Sequence, residues 1–441
     1  MSEDLTVESS GLSNSHIFRF YLPLALSWLF MAIESPIAMS VISRMANADI
    51  SIAAFQPLMA VSLWIESPVI DLLTTATTLG KDRQHYVELS RFVWKIMAVV
   101  TVVHALVAAT PLYWLLTEHV IGLDPRVSEV ARPGLIVMIP WSALIGWRRY
   151  LQGLMIRNGQ TRLIGMGTAV RMTTMALVAG GLYFLGSLSS IMVVSIGLVC
   201  AVAAEAGFAH WASRPTVASS LAFDEPGLRP LSQRFLAHFH LPLSLTTMVT
   251  LLGQPMVSTA LARSPHSILA LGAFQVASTL IWLHRTIVFA LPEVVITLYR
   301  DAASSLKLKR FCLYIGLGTT SVMALTSLSR LDVFFFHTLL GVSDVQIIKT
   351  AHLAMLLSCF LPLIGAMQSY LRGMLAAHHL TVSRLAAMGV SVTCLILLLF
   401  VGVGMRWPGI VTSCVALTVS QLAELGVLGY SWRRGTVALA V

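Results

Sequence analysis

The residue with the clearest chemical demand is Arg285. It lies in an apolar run over 267–299, where Gln275, Ser278, Thr279, Trp282, Thr286 and Glu293 recur at helical spacing, so these side chains are expected on one face. His284 falls on the opposite side and is expected to pack or to bond a neighbour. A guanidinium inside an apolar helix needs an anionic partner, either a protein carboxylate or an anionic ligand. Its planar fork matches phosphate and carboxylate, and its fixed charge prevents it from carrying protons. Glu293 is eight positions on, about 12 Å along a straight helix, which is beyond contact. The resting partner of Arg285 is therefore expected from another helix, with Asp71 or Glu34 foremost.

The remaining polar residues of the apolar runs sort by face. Glu34 stands beside Pro36 with Ser27 two turns earlier, and a proline break frees carbonyls next to a carboxylate, a plausible cation or proton site. Gln56, Trp64, Ser67, Asp71, Thr74, Thr75 and Thr78 form one stripe, from which Glu66 falls away. Ser244, Thr247, Gln254 and Ser258 mark a further face, and Arg171 sits mid-helix with Thr168 and Thr174 a turn away. Such stripes line a polar cavity or serve as interhelical glue, and both readings stand at this point. The substrate-contact candidates are Arg285, Gln275, Trp282, Gln254, Ser258, Gln56 and Trp64; the coupling or gating candidates are Glu34, Asp71, Glu293 and Arg171. Pro23, Pro36, Pro242 and Pro255 are expected to break their helices. Glu205 and Glu424, beside small residues, are expected in packing, and the lone His104 and His352 as satisfied core residues. The five cysteines fall at unrelated spacings in apolar runs, so neither a disulfide framework nor a metal site is expected. No phosphate-cradling loop, metalloprotease motif or nucleophile elbow is present, so an enzyme and a cofactor are not expected, and coupling to protons or sodium ions is.

What must position these residues is a membrane bundle. Of 441 residues, 56% are hydrophobic and 11% charged, with mean hydropathy +0.81; a soluble domain carries roughly 25% charged residues. Apolar stretches fall at about 17–43, 52–79, 92–116, 132–156, 162–185, 188–212, 236–262, 267–299, 310–329, 347–375, 382–404 and 408–432, which gives twelve helices. The chain repeats itself. Phe20, Leu22-Pro23-Leu24, Pro36 and Arg44 return 219 residues later as Phe239, Leu241-Pro242-Leu243, Pro255 and Arg263. Ala54-Phe55-Gln56 returns as Ala273-Phe274-Gln275, Tyr150-Leu151 and Gly153 as Tyr370-Leu371 and Gly373, and Ala204-Glu205 as Ala423-Glu424. The expected fold is all-α and polytopic: two six-helix repeats in the same orientation about a pseudo-two-fold axis along the membrane normal.

The expected division is an N-terminal tail 1–16, a first lobe 17–214, a polar linker 215–235, a second lobe 236–433 and a tail 434–441. Residues 1–16 carry Glu3, Asp4 and Glu8 and no Lys or Arg, so no cleavable leader is expected. Nineteen Lys and Arg collect in the loops on one side and seven on the other, which predicts both termini in the cytoplasm and explains the net charge of +9 without nucleic acid. The expected surroundings are the plasma (inner) membrane and its lipid; the expected partner is a small anionic molecule, and the expected state a monomer.

The 6+6 plan, the prolines of helices one and seven, and Pro140 with Tyr150-Leu151-Gln152-Gly153 resemble the MATE-like, MOP exporter and flippase superfamily. Arg19-Phe20 with Pro23-Leu24, Ser67-Pro68-Val69-Ile70-Asp71 followed by Lys81-Asp82-Arg83, His104, Pro242-Leu243 with Pro255 and Arg263, and Leu291 with Glu293 resemble its progressive ankylosis (ANK) family. That resemblance implies alternating access of two lobes and export of small polyanions such as pyrophosphate, citrate and nucleotides. The chain departs from the family pattern with Gln254 before Pro255, where a basic residue is expected, and with Arg285. Within transport the rivals are a cationic-drug exporter, which needs a cavity of carboxylates and aromatics, and a flippase for lipid-linked sugars, which needs a laterally open cationic one. Outside transport the rivals are a membrane scaffold or receptor and an intramembrane enzyme.

Overall fold

The computed structural model describes residues 12–219, 221–224, 228–378 and 381–439. Ten helices among them are long and apolar enough to cross a membrane, and two bent pairs complete a set of twelve. These are α1 (Asn14–Ser43), α2 (Ala48–Leu79), α3 (Arg83–Ala109), α4 (Pro125–Val137 and Trp141–Arg157, bent by 45°), α5 (Thr161–Leu185) and α6 (Ser190–Ser219). The second set is α7 (Gln233–Ala262), α8 (Ser267–Leu298), α9 (Ala302–Leu328), α10 (Val345–Leu357 and Leu361–Ala377, bent by 41°), α11 (Thr381–Gly404) and α12 (Gly409–Leu439). The chain is a multi-pass, all-helical membrane protein.

Two boundaries differ from expectation. Helix α6 runs through Pro215 to Ser219, so the inter-lobe segment starts later than 215. That segment is strapped to the start of α3: the Arg83 and Gln84 amides donate to the Phe223 carbonyl and to Asp224 Oδ1, at 3.2 and 2.8 Å, and the Leu231 amide donates to the Gln84 side chain. Of the expected terminal tails, residues 1–11, 440 and 441 lie outside the described residues, and α1 begins at Asn14.

The prolines act unequally. Helix α1 breaks at Ile33 and α7 at Leu252, three residues ahead of Pro36 and Pro255, where each ring removes a backbone hydrogen bond. Pro23 and Pro242, expected to break their helices too, lie inside unbroken segments, Asn14–Ala32 and Gln233–Leu251. Side chains answer two other proline defects. Ser67 Oγ donates to the Trp64 carbonyl, the acceptor that Pro68 cannot use, at 2.7 Å. Ser369 Oγ donates to the Val288 carbonyl that Pro292 leaves free, at 3.3 Å.

Helices α1, α2, α7 and α8 meet between the lobes, and α1 and α7 cross the seam. Tyr21 of α1 donates to the Ile287 carbonyl of α8 at 2.9 Å and stands edge-on to Phe311 of α9, with centroids 5.4 Å apart. Each of these residues has its counterpart 219 positions away. His240 Nε2 of α7 bonds the Pro68 carbonyl of α2 at 2.9 Å, and its ring stands edge-on to Phe92 of α3, also at 5.4 Å. The duplication in sequence is thus a duplication of contacts.

Candidate functional site

Each lobe holds buried charge near its interior, and the two lobes hold it differently. In the first lobe Arg171 grips Glu34 with both arms of its fork, Nε on Oε1 at 2.9 Å and Nη2 on Oε2, across α5 and the broken α1. The same guanidinium reaches Glu205 of α6 at 3.5 Å. Glu205 also accepts from Arg148 of α4 at 2.7 Å and from Gln152 at 3.3 Å. Glu66 of α2 accepts from the Trp141 indole, and Arg171 lies 5.6 Å over that ring. Arg149 makes no hydrogen bond among the described residues and feels the charges of Glu66 and Glu205. Three glutamates and three arginines share one network. Such balance is what a low-dielectric interior requires, because a buried charge is tolerated only when paired.

The second lobe keeps one of those glutamates. Glu424 accepts two bonds from Arg372 of α10, the Nε one at 2.9 Å. The charges of Arg372 and Glu424 also act on Arg285 and Arg384. Arg285 has no hydrogen bond and no ion pair among the described residues; its Nε is shielded from solvent, and its guanidinium lies 5.9 Å over the Phe289 ring. The repeat explains the contrast, since Arg285 occupies the position of Glu66, Gly253 that of Glu34, and Arg372 that of Gln152. Around Glu424 the charge is three arginines to one glutamate. The arrangement can accept an anion.

The expected cross-lobe partners of Arg285 are not its neighbours. Glu34 belongs to Arg171. Asp71 sits at the break of α2, with Oδ2 shielded and unbonded, and its charge acts on His240. Gln275 and Gln56 are buried, and the Gln56 amide nitrogen lacks a partner. Trp64 is half-buried, Ser258 is buried and donates to the Gln254 carbonyl, and the Gln254 side chain is exposed. Trp282, 42% exposed, packs 5.2 Å from Phe289, which in turn meets Trp28 of α1 at 5.7 Å. Glu293 is exposed and stands apart from the arginine cluster, so the expected single face of α8 divides. The side chain of Ser27 lies outside the described residues. Between the lobes, Ser35 and Thr279 hydroxyls meet at 3.3 Å.

Several participants escaped the sequence reading. Glu66 falls off the polar stripe of its helix, yet its position, 219 before Arg285, is a usable signal. Glu205 and Glu424, expected merely to pack, anchor the two clusters. His104 is indeed buried and bonds the Leu135 carbonyl at 3.2 Å, whereas His352 pairs with the fully buried Asp332 at 2.7 Å. Among the described residues no group of three or more His, Cys, Asp or Glu is placed to hold a metal ion.

No family model and no curated protein matches the sequence. Solved structures do match its fold. An inward-facing multidrug resistance MATE family transporter of the MOP superfamily aligns with TM-score 0.66 and 13% identity, over 93% of this chain and 98% of that one. The lipid II flippase MurJ in an inward closed conformation aligns with TM-score 0.68 and 10% identity, over 93% and 87%. A MOP superfamily transporter from Pyrococcus furiosus, described as having a binding pocket of reverse polarity, aligns with TM-score 0.67 and 11% identity, over 95% of each chain. The chain has the fold of the MATE and MurJ transporters.

Proposed function

We propose that the chain is a secondary transporter that works by alternating access of its two lobes and exports a small organic or phosphorylated anion. The observation that carries this is the arginine cluster of the second lobe: among the described residues Arg285 makes no hydrogen bond and no ion pair, and Glu424, bonded to Arg372, is one negative charge beside three positive ones. An anion entering between the lobes supplies the missing charge, and bidentate arginine geometry favours carboxylate or phosphate. The fold supports transport, and the neighbour whose binding pocket of reverse polarity suggests a different function is a precedent for a change of pocket charge on this fold. The resemblance to the ANK family points the same way. A cationic-drug exporter is disfavoured because Glu34 and Glu205 of the first lobe are committed to arginines. The flippase reading has the likeness to MurJ and the cationic charge in its favour. Against it, Tyr21 and His240 tie α1 to α8 and α7 to α2 by hydrogen bonds along the seams that a lipid would have to cross. In this reading the linker end of the bundle faces the cytoplasm, because the Lys and Arg of the loops collect there.

The test is uptake into proteoliposomes of a panel of labelled carboxylates and phosphates, plus a lipid-linked pyrophosphate, under imposed proton and sodium gradients. Arg285→Gln should reduce anion transport at least tenfold and Arg285→Lys a few-fold, with normal expression of both. Wild-type rates in well-folded Arg285→Gln would remove the reading's central residue.

A further inference from the structure

Helices α1 and α7 end in arginines at equivalent places, Arg44 and Arg263, and each reaches across to the other lobe. Arg44 donates Nη1 to the Leu340 carbonyl at 2.9 Å and Nη2 to the Thr338 and Leu339 carbonyls, both at 3.0 Å. Arg263 donates Nη2 to the His119 and Val120 carbonyls, at 3.2 and 2.6 Å, and Nε to the Ile121 carbonyl at 3.3 Å. Adding 219 to 119, 120 and 121 gives 338, 339 and 340, so the two sets are one contact made twice. The acceptors sit at the C-terminal ends of the π-helical segments Leu115–Ile121 and Phe335–Leu339, with Leu340 capping the second. Carbonyls at a helix C-terminus lack intrahelical donors and carry the negative end of the dipole, so a guanidinium from the other lobe completes them.

The receiving turns are shaped for this. Gly122 and Gly341 hold φ of +86° and +79°, a left-handed backbone that glycine adopts freely. A Cβ at Gly122 would lie 3.0 Å from Cγ and Nε of Arg263, and one at Gly341 would lie 2.8 Å from Cζ of Arg44. At this end α2 and α8 also touch, since a Cβ on Gly272 would lie 3.7 Å from Ile52 and 3.9 Å from the Ala53 nitrogen. Burial separates these contacts from the others across the seam. Tyr21 and His240 are 3% and 2% exposed, whereas both arginines face solvent. Water can therefore take over the arginine bonds at small cost when the lobes part.

We infer that Arg44 and Arg263 form a paired latch that holds this end of the transporter shut and that both must release for the lobes to separate there. The inference rests on the alternating-access reading above, but its test needs no substrate. In a background with Cys200, Cys312, Cys359, Cys394 and Cys414 replaced by alanine, Ala53→Cys reports opening at the latch, because Ala53 is fully buried. A second reporter, Ala179→Cys, is fully buried inside the first lobe and reports general loosening. Each is treated with a charged maleimide in liposomes. Arg44→Gln or Arg263→Gln alone should raise labelling at 53 several-fold, and the pair at least tenfold, with labelling at 179 unchanged. Unchanged labelling at 53 in the paired variant overturns the latch. Equal rises at 53 and 179 overturn it as well, since they report a loosened fold. Loss of anion uptake in the wild type would sink the substrate reading and leave this labelling result as it stands.

Discussion

At the scale of single residues, what distinguishes the two lobes is how a buried arginine finds its counter-charge. The Glu34–Arg171 pair joins the broken helix α1 to α5 through two parallel bonds, with 14% and 8% of the side chains exposed. Removing one partner of such a pair strands the other. Glu34→Gln should cost about 3–5 kcal/mol in unfolding free energy, and the double variant Glu34→Gln/Arg171→Gln should recover most of it. Chemical denaturation in detergent measures both; a double variant as unstable as the single would mean that the pair is not the source of the loss. Glu34 and Arg171 were each visible in the sequence as ionisable residues in apolar runs. Their pairing was not, because periodicity assigns a face within a helix and is silent about which helix lies opposite. The same silence misdirected the partner expected for Arg285. Glu66 was hidden for another reason, since a neighbouring indole, Trp141, satisfies it without any polar stripe.

At the scale of elements, helix ends carry much of the duplication. Asp82 caps α3 by accepting from the His85 amide at 2.8 Å, and Asp301, 219 residues later, caps α9 by accepting from the Ser304 amide at 2.7 Å. The Ser304 amide and hydroxyl hold the Asp301 carboxyl below its ordinary value. A carboxyl so depressed favours the folded end fully above the ordinary carboxylate pKa, and the contribution disappears as pH falls through the lower folded value. Amide exchange at Ser304, corrected for its intrinsic pH dependence, should therefore show protection lost only in that acid range. Asp301→Asn should show weaker protection that no longer changes there. For the buried cap of α3, Asp82→Ala should cost about 1 kcal/mol. The helices themselves were legible from length and apolarity. The breaks were only half legible, because all four prolines looked alike in sequence. Of the four, only Pro36 and Pro255 follow a break, at Ile33 and Leu252 three residues before them, while Pro23 and Pro242 are absorbed.

At the scale of the whole molecule, the lobes are not two independent bundles placed side by side. The first half of α1 packs in a cluster built mainly from the second lobe, where Ile17, Tyr21 and Ala25 lie with Val288, Leu291 and Phe311. Helix α7 returns the exchange through His240 and Ser244 on the Pro68 carbonyl, and through Gln233 Nε2, which donates to the Glu88 carbonyl at 2.9 Å. The repeat told of two equal halves, but a sequence offset cannot say that each half lends its first helix to the other. That exchange makes a prediction about folding. A chain cut in the inter-lobe segment at 225 loses one covalent link and none of these contacts. Either half made alone leaves apolar seam surface and crossing helices without partners, and buried groups such as His240 without acceptors. Residues 1–224 and 228–441, expressed separately in membranes, should each elute from a sizing column as aggregate. Expressed together, they should co-purify as a single monodisperse species near the wild-type position, with the anion uptake proposed above restored to within a few-fold. A second lobe that is monodisperse and thermally stable by itself would show that the crossing contacts are incidental to its fold. The latch and the charge clusters would then have to work between two units that fold apart and only later dock.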